Sequence, residues 1–368
     1  MMNLFSPLDM GKFGLKHRVV MAPLTRMRAS VPGYVPNEMM ERYYGQRASD
    51  GGLIISEATL VSEGARGAPN TPGIYTDEQI AAWRRITDAV HAKGGRMVLQ
   101  LWHMGRLSHL LYQPDGNAPF APSPIRADVD VLLPDRSKEP CPVPREIETD
   151  AIPELVNSFV QAARNAMDAG FDGVEIHAAN GYLLEQFLQS RSNQRNDAYG
   201  GSIENRCRVV IEIAQRVIDA IGKDRTGIRL SPFGVANDSG EVNPEPLYDY
   251  LVGELDKLRL AYLHLIEPRA SGAGQKDVDH KDVPSAARLY RPKWSNALIS
   301  AGNFTGESAG RWVEEGVADA IAFGRYFISN PDLPARIQRD HPLNPYDRST
   351  FYSLGEKGYL DYPAMDAD

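Results

Sequence analysis

His177, Asn180 and Tyr182 are the residues of this chain whose types and spacing could do chemistry together. They follow a short apolar run, 174–177. At its end the chain breaks through Ala178, Ala179, Asn180 and Gly181 before an amphipathic Leu/Phe pattern resumes. That is a strand ending in a loop. His177 and Asn180 are three apart, so in a tight turn their side chains point the same way and an imidazole N–H and an amide N–H converge on one oxygen. Tyr182 carries a phenol of unperturbed pKa about 10 that can deliver a proton to whatever the pair holds. A lone histidine at a strand end is more often a hydrogen-bonded structural residue than a catalyst, and a lone tyrosine usually packs. The three together are harder to dismiss, because the C-terminal end of a strand is where barrel enzymes place their chemistry.

The elements that must position these residues emerge when the apolar runs are taken in order. They are 19–22, 53–57, 96–100, 173–177, 227–230, 262–267, 297–301 and 320–324, eight in all. Helical patterns separate them. Residues 77–93 open on Thr76, three before Gln79, and end at Gly94-Gly95; this pairs a capping box with a C-cap signal. Residues 202–221 put Ile203, Cys207, Val210, Ile211, Ala214, Val217, Ile218 and Ile221 on one stripe, with Gly222 after it. Residues 152–169 end at Gly170 and residues 307–315 at Gly316. Strands alternating with helices imply parallel pairing, and eight such units close into a (β/α)8 TIM barrel of the α/β class, a single domain over 1–368. A doubly wound sheet is the alternative. It lacks support because no glycine fingerprint joins a first strand to a helix; Gly272-Ala273-Gly274 sits in a polar loop without the third glycine.

Two stretches fall outside the eight units. Residues 4–17 read as a hairpin around Gly11-Lys12 that closes the barrel's N-terminal end. Residues 112–145 carry eight prolines, and so long an excursion after the third strand reads as a partial cover over the active face. The polar, glycine-bearing stretch 268–293 reads as a loop able to move.

Composition narrows the partners. With 42% hydrophobic and 24% charged residues the chain is of the water-soluble globular class. A net charge of −8 argues against nucleic acid or an anionic membrane as partner. The two cysteines, Cys141 and Cys207, give neither a four-thiolate metal site nor a disulfide framework. His103, His109, His177 and His264 are not spaced as metal ligands, so no metal is expected. No run nears the ~18 apolar residues of a membrane span, and no signal segment opens the chain. A cytoplasmic monomer or homodimer acting on small molecules is the expectation.

In a barrel the residues at the strands' C-terminal ends share one pocket. Here they are Thr25, Glu57 with Ala58, Gln100 with Trp102 and His103, His177 with Asn180 and Tyr182, Arg229, Gly302 with Asn303, and Gly324 with Arg325. The last four follow the seventh and eighth strands, where such barrels hold a phosphate with glycine N–H groups and a cation. Thr25, Gln100 and Arg229 suit the polar edge of a planar heterocycle, and Arg229 could stabilise negative charge on a reduced flavin.

The stretches Met21-Ala22-Pro23-Leu24-Thr25-Arg26, Leu99-Gln100-Leu101-Trp102-His103, Glu175-Ile176-His177-Ala178-Ala179-Asn180-Gly181-Tyr182, Tyr199-Gly200-Gly201-Ser202-Ile203-Glu204-Asn205-Arg206 and Ala322-Phe323-Gly324-Arg325 resemble the Old Yellow Enzyme family. They lie in the family's order, run nearly end to end, and look most like its bacterial N-ethylmaleimide, glycerol trinitrate and xenobiotic reductases. The resemblance implies non-covalently bound FMN reduced by NAD(P)H in a ping-pong cycle, and reduction of the C=C bond of electron-poor alkenes such as enones, maleimides and nitroalkenes, with nitrate esters or nitroaromatics as further oxidants. It implies that Pro23, Leu24, Thr25, Ala58 and Gln100 hold the ring, that Arg229 faces its N1 and O2, and that Gly302, Asn303, Gly324 and Arg325 take the phosphate. His177 and Asn180 would bind the substrate oxygen, Tyr182 would protonate the α-carbon, and Thr25, Trp102 and Tyr352 would line the substrate side. Thr25 and Trp102 match the family's classical branch; residues 112–145 and 267–270 fit no fixed family pattern.

The constellation suits that chemistry. Hydride addition to an enone's β-carbon puts negative charge on the carbonyl oxygen, and two fixed donors stabilise that charge more than the neutral ground state. A non-catalytic flavin-storage protein needs only the ring and phosphate contacts and gives no reason for His177, Asn180 and Tyr182 to converge. The larger flavin reductases that share the barrel carry an iron–sulfur cluster, which two cysteines cannot ligate.

Overall fold

The computed structural model describes residues 3–268 and 283–365. Every one of the eight apolar runs forms a strand: β1 (Val19–Met21), β2 (Leu53–Ile55), β3 (Arg96–Trp102), β4 (Gly173–Ala178), β5 (Thr226–Leu230), β6 (Tyr262–Ile266), β7 (Ala297–Ala301) and β8 (Ala320–Phe323). Each pairs in parallel with the next, and β8 pairs with β1, so the sheet closes into the expected (β/α)8 barrel. β3 runs two residues past its expected end, which carries Trp102 onto the strand itself.

The helices between strands begin and end where their caps stand. They are α1 (Glu38–Arg47), α2 (Asp77–His91), α3 (Ile152–Asp168), the short α4 (Leu183–Leu188), α5 (Ile203–Ile221), α6 (Pro244–Lys257), α7 (Ala286–Tyr290), α8 (Gly306–Glu314), α9 (Arg325–Ser329) and α10 (Leu333–Gln338). Thr76 and Gln79 form the reciprocal capping box at α2, and Ser202 accepts from Asn205 N–H at α5; such caps each contribute about 1 kcal/mol. The stretch expected as loop to residue 293 contains α7, because Ser285 caps it and Ala286, Ala287 and Tyr290 are buried. Residues 269–282 of that stretch lie outside the described residues. No helix among the described residues is long and apolar enough to cross a membrane.

Strand alternation divides the core in two. Outward-facing Val19, Met21, Ile54, Met97, Leu99, Val174, Ile176, Ile228 and Leu230 pack in one cluster with helix residues such as Trp83, Phe159 and Val210. Val20, Leu53, Ile55, Val98, Tyr262, Ile299 and Ala320 form a second cluster with Met10, Phe13 and Leu15 of the hairpin. The hairpin strands Leu8–Met10 and Phe13–Leu15 are antiparallel, and Lys12 N–H donates to Asp224 O just before β5. An apolar plug thus fills the strands' N-terminal end. Burial of a side chain such as Phe13 contributes about 1.5–3 kcal/mol to that seal.

Moving along the strands, the inward positions turn polar. Val98 gives way to Gln100, Gly173 to Glu175 and His177, Gly227 to Arg229, and Tyr262 to His264. The polar residues therefore gather at the C-terminal mouth. There the excursion 112–145 builds two small ladders, Asp130–Leu132 with Lys138–Pro140 and Phe120–Ala121 with Arg145–Glu146.

Candidate active site

Register sets the floor of the mouth. Gln100 lies opposite Glu175, His177 opposite Arg229, and Arg229 opposite His264. Gln100 Nε2 donates to Glu175 Oε1 at 2.7 Å, and His264 Nδ1 lies 2.8 Å from Glu175 Oε2. Burial alone pushes the Glu175 carboxyl up, but His264, the Arg229 charge and the Gln100 amide together hold it below the usual carboxylate value. Burial lowers His264, so a neutral imidazole donates to an ionised Glu175. Burial also lowers Arg229, and Glu175 is the counter-charge that opposes this. Arg229 Nε and His264 Nε2 are buried without a hydrogen-bond partner.

Above this floor stand His177, Asn180 and Tyr182. His177 ends β4 buried, with Nδ1 unpartnered, and its pKa is driven well below the ordinary value by burial and by the Arg229 and His264 side. It is a neutral imidazole near pH 7. Tyr182 packs edge-on to both neighbours: its ring centroid lies 4.9 Å from Trp102 at 90° and 5.1 Å from His177 at 66°. Burial and then Tyr352 hold its pKa well above the ordinary value, against a hydrogen bond from Asn237. The phenol therefore keeps its proton. Asn180 takes φ +58° in the turn between them and is half-buried. Trp102 Nε1 is a further buried N–H without a partner.

Thr25 sits half-buried in the loop after β1, held by its neighbours in sequence. Arg26 N–H donates to Glu57 Oε2 at 3.2 Å, and Tyr44 OH donates to Glu57 Oε1 at 3.3 Å. Glu57, expected among the residues lining the mouth, thus turns outward to α1 and supports the Thr25 loop instead. His103 Nδ1 accepts from Gly105 N–H at 3.1 Å within its own loop, and its carbonyl accepts from Leu183 N–H at 3.1 Å. Arg26, Arg28 and Arg47 clamp the C-terminal segment by donating to the carbonyls of Thr350, Phe351, Gly355, Gly358 and Tyr359. Tyr352 lies in that segment. Arg136, from the proline-rich excursion, donates to the Tyr352 carbonyl at 2.9 Å and to Asn70 Oδ1 at 3.0 Å. The excursion is therefore tied to the rim of the mouth.

At the far side, the ends of β7 and β8 meet. Arg325 NH2 donates to Asn303 Oδ1 at 2.9 Å and Arg325 NH1 to Tyr346 OH at 3.3 Å. Gly302 has no room for a side chain, since a Cβ there would lie 2.5 Å from Glu267 Cβ. At Gly324 a Cβ would meet Leu24 Cδ2 at 3.3 Å, which puts the loop after β1 beside the loop after β8. These residues fit FMN. Two glycine backbones with Arg325 suit a phosphate, and the buried, unpartnered Arg229 Nε on the floor suits the electron-rich edge of a flavin. With Nε2 committed to Glu175, Gln100 presents its carbonyl oxygen as an acceptor.

The fold brings the strand ends to one mouth, with Glu57 turned outward from it. Glu175, His264, Asn237 and Arg136 belong to the site's construction and were not among the residues expected there. Alternation along β4 and β6 points to Glu175 and His264, two positions from His177 and from Tyr262. Nothing local points to Asn237 or Arg136, whose contacts span more than fifty residues.

Residues 3–344 match the family model described as the NADH:flavin oxidoreductase / NADH oxidase family. Among similar proteins, 12-oxophytodienoate reductase 2 of Arabidopsis thaliana is 46% identical over 99% of this chain and 96% of its own length. Among solved structures, morphinone reductase superposes with a TM-score of 0.93 at 48% identity, over 99% of this chain and 97% of that one. The Old Yellow Enzyme homologue of Zymomonas mobilis gives 0.92 at 43% identity, over 98% and 99%. A morphinone reductase structure in complex with tetrahydroNAD gives 0.91 at 47% identity, over 99% and 98%.

Proposed function

The chain belongs to the Old Yellow Enzyme family of FMN-dependent oxidoreductases that draw hydride from a nicotinamide nucleotide, and we propose that it reduces the C=C bond of alkenes conjugated to a carbonyl or nitro group. When bound, FMN supplies the hydride that reaches the alkene's β-carbon. What this chain supplies is the handling of charge and proton around that event.

His177, neutral because it is buried beside Arg229, offers a fixed N–H to the substrate oxygen, and Asn180 offers an amide N–H from the adjoining turn. As negative charge grows on that oxygen the two bonds strengthen; loss of one such donor costs on the order of 3 kcal/mol in comparable sites. Tyr182 keeps its proton at neutral pH and gives it to the α-carbon. Trp102 and His177 hold the Tyr182 ring on two sides, and Tyr352 borders the substrate from the C-terminal segment. Thr25, Ala58, Gln100 and Arg229 are assigned to the flavin ring together with Pro23 and Leu24. Gly302, Asn303, Gly324 and Arg325 are assigned to its phosphate. The names of the relatives support a carbonyl-bearing substrate, since 12-oxophytodienoate and morphinone each carry an oxo group.

The single observation that carries the reading is the edge-on packing of Tyr182 between Trp102 and His177. A proton-retaining phenol is held edge-on against a neutral, buried imidazole whose Nδ1 has no protein partner. A flavin-storage protein has no use for it. The test is anaerobic: the yellow protein is mixed with NADH or NADPH, bleaching is followed, and cyclohexenone, a maleimide or a nitrate ester is added. Bleaching followed by return of colour is expected, with saturated product from cyclohexenone or the maleimide and nitrite from the nitrate ester. A flavin that neither nucleotide reduces, or that cyclohexenone does not reoxidise, overturns the proposal.

A further inference from the structure

The turn Asn180-Gly181 has all four of its backbone polar groups held by side chains. Asn180 N–H donates to Ser231 Oγ at 2.9 Å, and its carbonyl accepts from Asn237 Nδ2 at 2.9 Å. Gly181 N–H donates to Glu185 Oε2 at 2.5 Å, and its carbonyl accepts from Gln186 Nε2 at 2.8 Å. Both residues lie in the left-handed region, at φ +58° and +78°, which asparagine tolerates and glycine enters freely. A Cβ on Gly181 would stand 2.8 Å from the Ala236 carbonyl oxygen, so the turn is also packed closely from outside.

Glu185 is the hub of this socket. Besides Gly181, it accepts at Oε1 from Ser231 Oγ at 2.6 Å and from Tyr248 OH at 2.9 Å. One oxygen therefore grips Gly181 directly, and the other reaches Asn180 through Ser231. The side chain is wholly buried, and no ion pair among the described residues joins it to a cation. All its donors are neutral, and burial pushes its carboxyl up to about 7. Such a group is costly to bury and needs each of its acceptor positions filled. A glutamine would offer one acceptor where the socket has donors at both ends.

From this juxtaposition we infer that Glu185 is the positioning residue of the oxygen-binding pair: by gripping the Asn180-Gly181 turn at both amides it sets where the Asn180 side chain stands relative to His177. The inference rests on Asn180 acting as a donor to the substrate oxygen. It assigns to Glu185 no contact with the reacting atoms.

The test is a double-mutant cycle on the FMN-loaded protein. Dissociation constants of para-chlorophenol, a phenol that places its oxygen against the pair, are read from the change in flavin absorbance for wild type, Asn180→Ala, Glu185→Gln and the double variant at one pH. Glu185→Gln is expected to weaken binding about tenfold in the wild type and to add nothing in the Asn180→Ala background, because a residue acting through another falls silent once that other is gone. Equal weakening in both backgrounds, or none in the wild type, overturns the inference. If Asn180→Ala alone leaves phenol binding unchanged, the donor assignment itself falls and this inference with it; the single Asn180 variant tells that failure apart. Should Glu185→Gln not retain flavin, Ser231→Ala takes its place in the cycle. It cuts the relay to Asn180 N–H while leaving the carboxylate, and the same expectations apply.

Discussion

Gln100 Nε2 donates to Glu175 Oε1 across 2.7 Å at the floor of the barrel mouth, which turns the amide's carbonyl oxygen away from the carboxylate. The same carboxylate is the counter-charge of Arg229. Glu175 thereby orients Gln100 and offsets the charge of Arg229, the two groups assigned above to the flavin ring.

Glu175→Gln is expected to raise the flavin's reduction potential, because a negative charge that opposes electron uptake is removed while the Arg229 cation remains. Reduction by NAD(P)H should speed up and reoxidation by cyclohexenone should slow. Spectroelectrochemical titration checks the sign; a potential that falls or stays put contradicts the assignment of Gln100 and Arg229 to the flavin ring.

Thr25→Ala is expected to move the potential the other way. A hydroxyl hydrogen-bonded to the ring's carbonyl edge stabilises the reduced form, so its loss should slow hydride entry and quicken hydride departure. Stopped-flow measurement of both half-reactions decides it. Two half-reactions slowed together would mean that Thr25 shapes the mouth without touching the flavin's energetics.

Glu57 carries a pH dependence that is separable from catalysis. Burial is the largest cause raising its carboxyl from 4.5 to about 7, opposed by the Arg26 amide and charge, Tyr44 and Arg28. Between those values the folded chain holds a proton that the unfolded chain releases, so this group's stabilisation is present below pH 4.5 and is lost as pH rises through 7. At about 1.4 kcal/mol for each pH unit crossed, the loss over that window is on the order of 3 kcal/mol. Glu57→Gln removes that titration. Its melting temperature relative to wild type should climb from pH 4.5 to 7 and then level off. A difference independent of pH shows that Glu57 is ionised throughout.

The barrel was legible in the sequence because each of its strands is a short apolar run closed by turn chemistry, and because caps such as Thr76 and Ser202 mark the helices residue by residue. The mouth was legible because strand ends in a barrel converge. What escaped was tertiary. Glu57 reads like any strand-end carboxylate until Tyr44 is seen to claim it, and Arg136 lies in a proline-rich stretch with no period to say that it reaches Tyr352. The helix α7 escaped because it has only five residues and its burial depends on neighbours far off in the chain.

The last prediction separates the two transfers and rests on Tyr182. Its ring is fixed edge-on by Trp102 and His177, contacts that a phenylalanine ring keeps, so Tyr182→Phe removes the hydroxyl and little else. Flavin reduction by NAD(P)H takes no proton from this phenol, and that half-reaction should stay near wild type. Reoxidation by cyclohexenone makes an enolate that must be protonated on carbon, and it should slow by about 10²-fold or more, as for loss of a typical general acid. Nitroalkenes accept hydride to give a nitronate stable enough to wait for a proton from water. For them the hydride step should survive while nitronate accumulates. If Tyr182 only packs, its hydroxyl matters equally to every acceptor. Equal slowing of flavin reduction, cyclohexenone reduction and nitroalkene reduction in Tyr182→Phe would sink its assignment as the proton donor, whereas a loss confined to the enone leaves general acid catalysis as the role the hydroxyl performs.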